Sequence, residues 1–392
     1  MTTLAEPAAP ARPVIRWYQR PYVRTIGVYL LVRAFGVAVL AMFAAKTGQP
    51  LMDRLTAWDG QWYLDLANHG YFGITRGLYD AAGNYAPNTP LAFFPAYPML
   101  ARVLAPVTFS STLAAELLLS AIAGCLAAIA IFRLARLVDG RERTGLLLVA
   151  LWAGAPMAIT LSMTYTEALF TAFAAWALVG VVERRWLLAA VCCVAAGLTR
   201  PTATVLVCVV GLAALIAFFR TRDRWQTLVC IVLCPLGLLG FWTWVAINTG
   251  TPTGWWDLER NNWWTRFDAG REAAQFAWDK LVPGASVMET MTVFILLAGV
   301  VLAVLLFRLL RPLAQWWPLA AYGAGMLVLV IGTAGLPSAK VRFLLPGFIL
   351  LYPVARGLAA RRPGTAIATV AGFVVLGSWF SAYALTGWHY TI

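Results

Sequence analysis

Long apolar runs, cut by short polar turns, repeat along almost the whole chain. Runs of the length needed to cross about 30 Å of hydrocarbon fall near 25–45, 112–138, 144–161, 166–182, 186–199, 202–219, 226–248, 288–307, 316–333, 341–358 and 364–385. The fifth is short and is expected to tilt, or in part to enter and leave by one face. This pattern predicts an all-α polytopic membrane protein with about eleven transmembrane helices (ten to twelve). Residues 1–24 read as a basic, proline-rich leader, and 25–392 as a single membrane domain.

Composition agrees with the pattern. Apolar residues make up 61% of the 392 and charged residues 12%, with a mean hydropathy of +0.74. Soluble domains hold roughly 45–50% apolar and 25% charged residues, so a soluble class is excluded. The six cysteines all lie inside apolar runs and the two histidines stand far apart. Neither a disulfide framework nor a zinc site is read from them.

The net charge of +13 could suggest nucleic acid until the charges are placed. With the N-terminus inside, the inner turns carry 18 of the 30 basic residues, among them Arg133, Arg136, Arg184, Arg185, Arg220, Arg308 and Arg356. Five acids oppose them there, so the inner side accounts for the whole net charge. That is a positive-inside bias, suited to an anionic cytoplasmic leaflet. Eleven spans then put the C-terminus outside, together with the two substantial loops, 46–111 and 249–287. The arginine- and alanine-rich usage is that of a bacterial chain, whose membrane would be the plasma membrane. The expected active face is extracytoplasmic.

The polar chemistry collects on that face. In "TAWDGQWYLDLANHGY" (56–71), Leu55, Trp58, Trp62, Leu66 and His69 recur at three- and four-residue spacing, with Asp59 and Tyr63 flanking the stripe. These residues suit a short interfacial helix opened by a Thr56-x-x-Asp59 capping box, and equally a sugar site built from aromatic faces and a carboxylate. "TPLAFFPAYPML" (89–100) sets Phe93, Phe94 and Tyr97 among three prolines: a surface belt anchor, or a rigid wall. "MTYTEALF" (163–170) offers Glu167 either as the far end of a second capping box or as an intramembrane carboxylate with a function. Arg200, ahead of Pro201, either snorkels to headgroups or grips a phosphate. "GTPTGWWDLERNNWWTRFD" (250–268) is an interfacial hairpin or a stacking platform that includes Trp255 and Asp257. Lys340 and Arg342 are cations on the outer side, against the prevailing bias, and favour an anionic ligand.

In this order "AWDGQWYLDLANHGY", "AFFPAYPML", "TYTEALF" and "GLTRPTA" resemble the landmarks of the GPI mannosyltransferase II family and its bacterial relatives, within the GT-C superfamily of polytopic glycosyltransferases. The likeness runs from about residue 56 to 205, with a looser match at "KVRFLLPGF". It implies a GT-C-like fold and inverting transfer of mannose from a polyprenyl-phosphate-linked donor to a lipid-linked glycan acceptor, on the extracytoplasmic face. By the same likeness Asp59 is the catalytic residue. The superfamily often shows two acids there, but here Gly60 and Gln61 follow Asp59 and the next acid is Asp65. No cofactor is expected, and nothing in the pattern supports a divalent cation.

Elementary chemistry points the same way. Inversion needs a carboxylate to take the acceptor proton and cations to steady the departing lipid phosphate, which suits Arg200, Lys340 and Arg342. Trp58, Trp62, Tyr63, His69, Phe94, Tyr97, Glu167, Trp255 and Asp257 are the expected substrate-binding side chains. Two other readings remain open. One is a GT-C enzyme moving another sugar or acting on protein. The other is a lipid flippase, which should carry ionisable residues at mid-membrane; Arg33 and Glu116 are the modest exceptions here.

Overall fold

The computed structural model describes residues 21–80, 82–220, 224–311 and 314–388. Most of the basic leader (residues 1–20), Arg222 and the C-terminal residues 389–392 lie outside the described part. The chain is helical nearly throughout. Its helices run α1 Pro21–Lys46, α2 Leu51–Leu55, α3 Asp59–His69, α4 Ala96–Leu104, α5 Thr112–Asp139, α6 Glu142–Ala153, α7 Glu167–Val182, α8 Trp186–Gly197 and α9 Ala203–Arg220. They continue as α10 Arg224–Leu233, α11 Leu236–Thr249, α12 Gly254–Trp263, α13 Arg271–Lys280, α14 Val287–Leu310, α15 Trp317–Gly332, α16 Lys340–Phe343, α17 Tyr352–Ala359 and α18 Pro363–Thr386.

Helices occupy each of the eleven expected runs, but two runs are broken and not all are full-length spans. Among the described residues seven helices are long and apolar enough to cross a membrane, taking Arg224–Thr249 as one. An eighth is broken, bent by 63° between Pro337–Phe343 and Leu345–Ala359. Run 144–161 is interrupted after Ala153 and resumes only as the 3-10 turn Ala158–Ser162. Helices α7 and α8, of 16 and 12 residues, are shorter than a span needs.

The short α7 is apolar on every side, as a helix enclosed by others should be. It packs against α5, α8 and α9 and buries all but a few residues. Because protein rather than lipid surrounds it, it does not need to match the bilayer thickness. Small residues allow the close approaches. A Cβ added to Gly237 at the start of α11 would lie 2.0 Å from the Val194 carbonyl of α8, so only glycine permits this crossing. Buried Arg33, midway along α1, donates to Ala153 O at 2.7 Å and Ser162 Oγ at 3.0 Å. It thereby satisfies the exposed end of the interrupted α6. Glu116 is buried near the start of α5, where its carbonyl accepts from Tyr97 Oη at 2.9 Å.

The two ends of α7 differ in chemistry. At its C-terminal end Glu183 holds Arg133 at 2.5 and 2.8 Å and Arg185 at 3.3 Å. Its N-terminal end carries Glu167 and faces the two long loops. The first loop contributes α2, α3 and α4 with a small turn around Asp80. The second contributes α12, α13 and strand β1 (Arg266–Phe267), which pairs antiparallel with β2 (Thr333–Ala334) in the register Arg266 to Ala334 and Phe267 to Thr333. This short ladder ties the tryptophan-rich loop to the broken helix that carries Lys340 and Arg342.

Candidate functional site

The site begins at a sharp turn. Thr56 Oγ1 bonds back to Met52 O at 3.0 Å, closing α2 rather than opening α3. Trp58 then takes φ 58°, a left-handed value uncommon for a bulky residue, and Asp59 becomes the first residue of α3 without a side-chain cap. The expected Thr56–Asp59 capping box is therefore not formed. The turn is pinned from the other side: Thr164 N donates to Leu55 O at 3.1 Å, and Tyr165 Oη donates to Ala57 O at 2.9 Å. Gly60 lets the two segments touch, since a Cβ there would sit 2.4 Å from Thr164 Oγ1. The second expected capping box is absent too. The residue ahead of α7 is Thr166, which makes no side-chain cap, and Thr164 turns its hydroxyl to Leu55 O.

Freed from capping, both acids enter an ion network. Arg342 Nη1 lies 2.8 Å from Asp59 Oδ2, and Arg342 Nε lies 3.4 Å from Glu167 Oε1. Arg200 Nη1 donates to the same Glu167 oxygen at 2.6 Å and to Thr166 Oγ1 at 2.8 Å. Glu167 is fully buried, and both arginines are almost so. Phe343 is shared between the guanidinium groups, 4.7 Å from Arg342 and 5.5 Å from Arg200. Arg200 therefore does not snorkel. Its Nε, and Arg342 Nε and Nη1, make no aligned hydrogen bond within the described residues. The close approaches at Arg342 are ion pairs whose N–H groups still point elsewhere. Buried guanidinium donors left in that state are rare, and an oxyanion would complete them.

These groups border a cavity of about 390 Å³. Asp59, Arg200, Lys340, Arg342 and Arg266 line it. Phe94, Trp242, Trp255, Trp256, Trp263 and Glu259 share the same lining, with Glu259 close enough to feel the Asp59 and Arg200 charges. Lys340 is anchored by donating to the Val330 carbonyl at 3.0 Å and to Thr333 O. Trp255 is fixed through Nε1 to Ala92 O at 3.1 Å, so the second loop is locked against the first.

Of the expected residues, Asp59, Tyr63, Phe94, Arg200, Trp255, Lys340 and Arg342 line the cavity, and Glu167 lies directly behind its two arginines Arg200 and Arg342. Tyr97 is fully buried behind Tyr63, with ring centroids 5.4 Å apart. Trp62 stacks on Phe93 at 5.4 Å and supports the wall from outside. The Phe93–Tyr97 segment is thus buried packing beneath the site, not a surface belt. Three further expected residues do not line the cavity. Trp58 is exposed at the turn, and His69 is exposed at the far end of α3. Asp257 points away from the cavity, accepting from Thr253 Oγ1 at 2.7 Å with Arg260 4.0 Å away. The acid of α12 that faces the cavity is Glu259, which the sequence reading did not select. Burial pushes its carboxyl up to about 8, reinforced by the Asp59 charge. A two-residue offset on a helix swings a side chain by about 200°, so the two acids take opposite faces, and Glu259 shares the face of Trp255 and Trp263, each four residues away.

No family model matches the chain, and no curated protein matches it. Solved structures do. The archaeal oligosaccharyltransferase AglB from Archaeoglobus fulgidus, in complex with an inhibitory peptide and a dolichol-phosphate, is similar over 95% of this chain at 12% identity and a TM-score of 0.50. ArnT from Cupriavidus metallidurans, bound to undecaprenyl phosphate, is similar over 89% of this chain at 15% identity and a TM-score of 0.54. This chain spans 56% of the first and 63% of the second. At such identity the likeness is one of fold: the chain shares the polytopic helical architecture of these two structures, and is a multi-pass membrane protein.

Proposed function

We propose that the chain is an inverting glycosyltransferase that moves a single mannose from a polyprenyl-phosphate donor to a lipid-linked glycan. The observation that carries this reading is the pair of buried guanidinium groups with unspent N–H donors, set beside Asp59 in the cavity. The cavity lies at the small end of ligand pockets, about 300–1,000 Å³, which favours one sugar phosphate over a long glycan. Two solved structures of this fold hold a dolichol-phosphate and undecaprenyl phosphate, which supports a lipid-phosphate donor here as well. The motif likeness to the GPI mannosyltransferase II family supplies the choice of mannose.

The donor phosphate sits on Arg200, Arg342 and Lys340. The acceptor hydroxyl approaches the anomeric carbon from the side opposite the phosphate and gives its proton to Asp59. The new C–O bond forms as the anomeric C–O(phosphate) bond breaks, inverting the centre. Polyprenyl phosphate leaves with the electron pair, its charge held by the three cations. Arg342 belongs to both halves: it orients Asp59 and receives the leaving charge. The arginine-rich turns at the other end of α7 support an extracytoplasmic site in the plasma membrane, with the N-terminus cytoplasmic.

The test is transfer by the purified chain in nanodiscs, from a short-chain polyprenyl-phosphate [14C]mannose to octyl α-mannoside. Radiolabelled disaccharide is expected, with release of polyprenyl phosphate. Transfer only from a different polyprenyl-phosphate sugar would keep the reaction class and replace mannose. No transfer from any polyprenyl-phosphate sugar, to this acceptor or to extracted membrane glycolipids, would overturn the reading.

A further inference from the structure

The tryptophan-rich loop carries a cavity-lining carboxyl that the transfer mechanism leaves unused. Asp59 and Glu259 are the carboxylates that line the cavity. Asp59 is paired with Arg342, whereas Glu259 makes no ion pair among the described residues. It shares the cavity with four tryptophans. Trp255, Trp256 and Trp263 come from the same helix, and Trp242 from α11 packs 4.7 Å from Trp256. Aromatic faces around a hydrogen-bonding carboxyl match an uncharged sugar ring, which has apolar C–H faces and a rim of hydroxyls. The cations that line the same cavity match the phosphate.

We propose that α12 forms the acceptor side of the cavity, with Glu259 as the positioning residue that hydrogen-bonds the hydroxyls of an uncharged sugar stacked on the tryptophans. The term acceptor rests on the transfer reading above; the binding of a neutral sugar does not. Desolvation by burial pushes the Glu259 carboxyl up to about 8, and the Asp59 charge adds to this, while the Thr265 side chain and Arg200 oppose it. At neutral pH the group is therefore protonated and can both donate and accept. Glutamine can do the same; leucine can do neither. The elements packed on α12 bring few competing charges. Neither α11 nor the turn Thr89–Ala92 carries a titratable side chain, and β1 brings Arg266. Across the cavity stand Asp59, Tyr63, Arg200, Lys340 and Arg342.

The experiment measures equilibrium binding of tritiated octyl α-mannoside to the full chain in nanodiscs from pH 6 to pH 9. Alongside it, initial rates with polyprenyl-phosphate mannose are followed. Wild-type affinity should fall as pH rises through about 8. Glu259→Gln should keep the pH 7 affinity within about twofold and lose the pH dependence, because its amide cannot ionise. Glu259→Leu should weaken binding about three- to tenfold at all pH values, and raise the acceptor KM without changing the donor KM. Trp256→Ala, at a half-exposed position, should weaken binding as well. Wild-type affinity in Glu259→Leu, or pH dependence persisting in Glu259→Gln, overturns the proposal. So does a collapse of kcat at unchanged acceptor KM in Glu259→Gln, since that would make the residue a base. A chain that binds the mannoside through Glu259 yet transfers nothing would overturn the transfer reading and leave this site standing.

Discussion

Asp59→Asn separates chemistry from architecture. The side chain caps nothing, so the structural loss comes from two small sources. One is the charge at the first position of α3, where a helix N-terminus favours an anion by roughly 0.3–1 kcal/mol. The other is the ion pair with Arg342; Asp59 is 29% exposed there, and an asparagine oxygen can still accept from the guanidinium. Solvent screening keeps that term small, so the sum should be about 1 kcal/mol, a Tm change of about 2 °C or less in a chain of this size. Arg342 keeps Glu167 at 3.4 Å and should stay in place. Donor binding should therefore persist, helped by a guanidinium relieved of one carboxylate. Turnover is another matter. Losing the proton acceptor costs at least about a hundredfold, equivalent to about 2.7 kcal/mol in the barrier. The assay is steady-state transfer from polyprenyl-phosphate mannose by variants matched for thermal stability, with Asp65→Asn as companion. Asp65 does not line the cavity, and its variant should stay active. Wild-type turnover in Asp59→Asn would refute the assignment, as would a Tm loss large enough to explain the missing activity.

Removing Arg200 or Arg342 should raise the donor KM or lower turnover about 10- to 100-fold, the worth of a charge-assisted contact of about 1.5–3 kcal/mol; wild-type donor kinetics in both alanine variants would move the phosphate elsewhere. Glu167→Gln leaves two buried guanidinium groups without their shared carboxylate and should destabilise by about 3–5 kcal/mol, read as a Tm drop of several degrees in detergent. Adding Arg200→Gln to it should recover part of that loss, and strictly additive Tm losses would show that the pair is not coupled. Ala82→Cys, exposed in the Asp80 turn, should react with an impermeant maleimide in intact spheroplasts; reaction only after permeabilisation would put the loop on the cytoplasmic side.

Much of the architecture was legible in the residues alone. Runs of hydrocarbon side chains cannot leave their backbone unpaired in lipid, so helices were expected over the eleven runs, and helices occupy all of them, with breaks in 144–161 and 341–358. Where sequence reading overreached was length. It counted 166–182 and 186–199 as spans, but α7 is enclosed by other helices and α8 packs against four, α7, α9, α10 and α11, so neither has to match the bilayer. The motif order likewise brought out Asp59, Glu167, Arg200, Lys340 and Arg342 as the polar residues of one face. Their types and positions could be read because a charge at the rim of a membrane bundle is costly enough to stand out.

Which of these groups touch was decided only by the fold. Both capping boxes were sound local readings, yet a left-handed Trp58 and the Leu55–Thr164 bridge turn the same side chains into an ion network. Arg342 meets Asp59 across most of the chain's length, and no periodicity encodes a pairing of that range. The sharpest case is α12. Helix α12 is largely polar, and the four-residue spacing that puts Glu259 on the face of Trp255 and Trp263 does not by itself say that this face turns inward. Trp255 bonding to Ala92 and the β1–β2 ladder fix the rotation of that helix. Burial then follows from rotation, and it leaves Asp257 at the surface while turning Glu259 into the cavity.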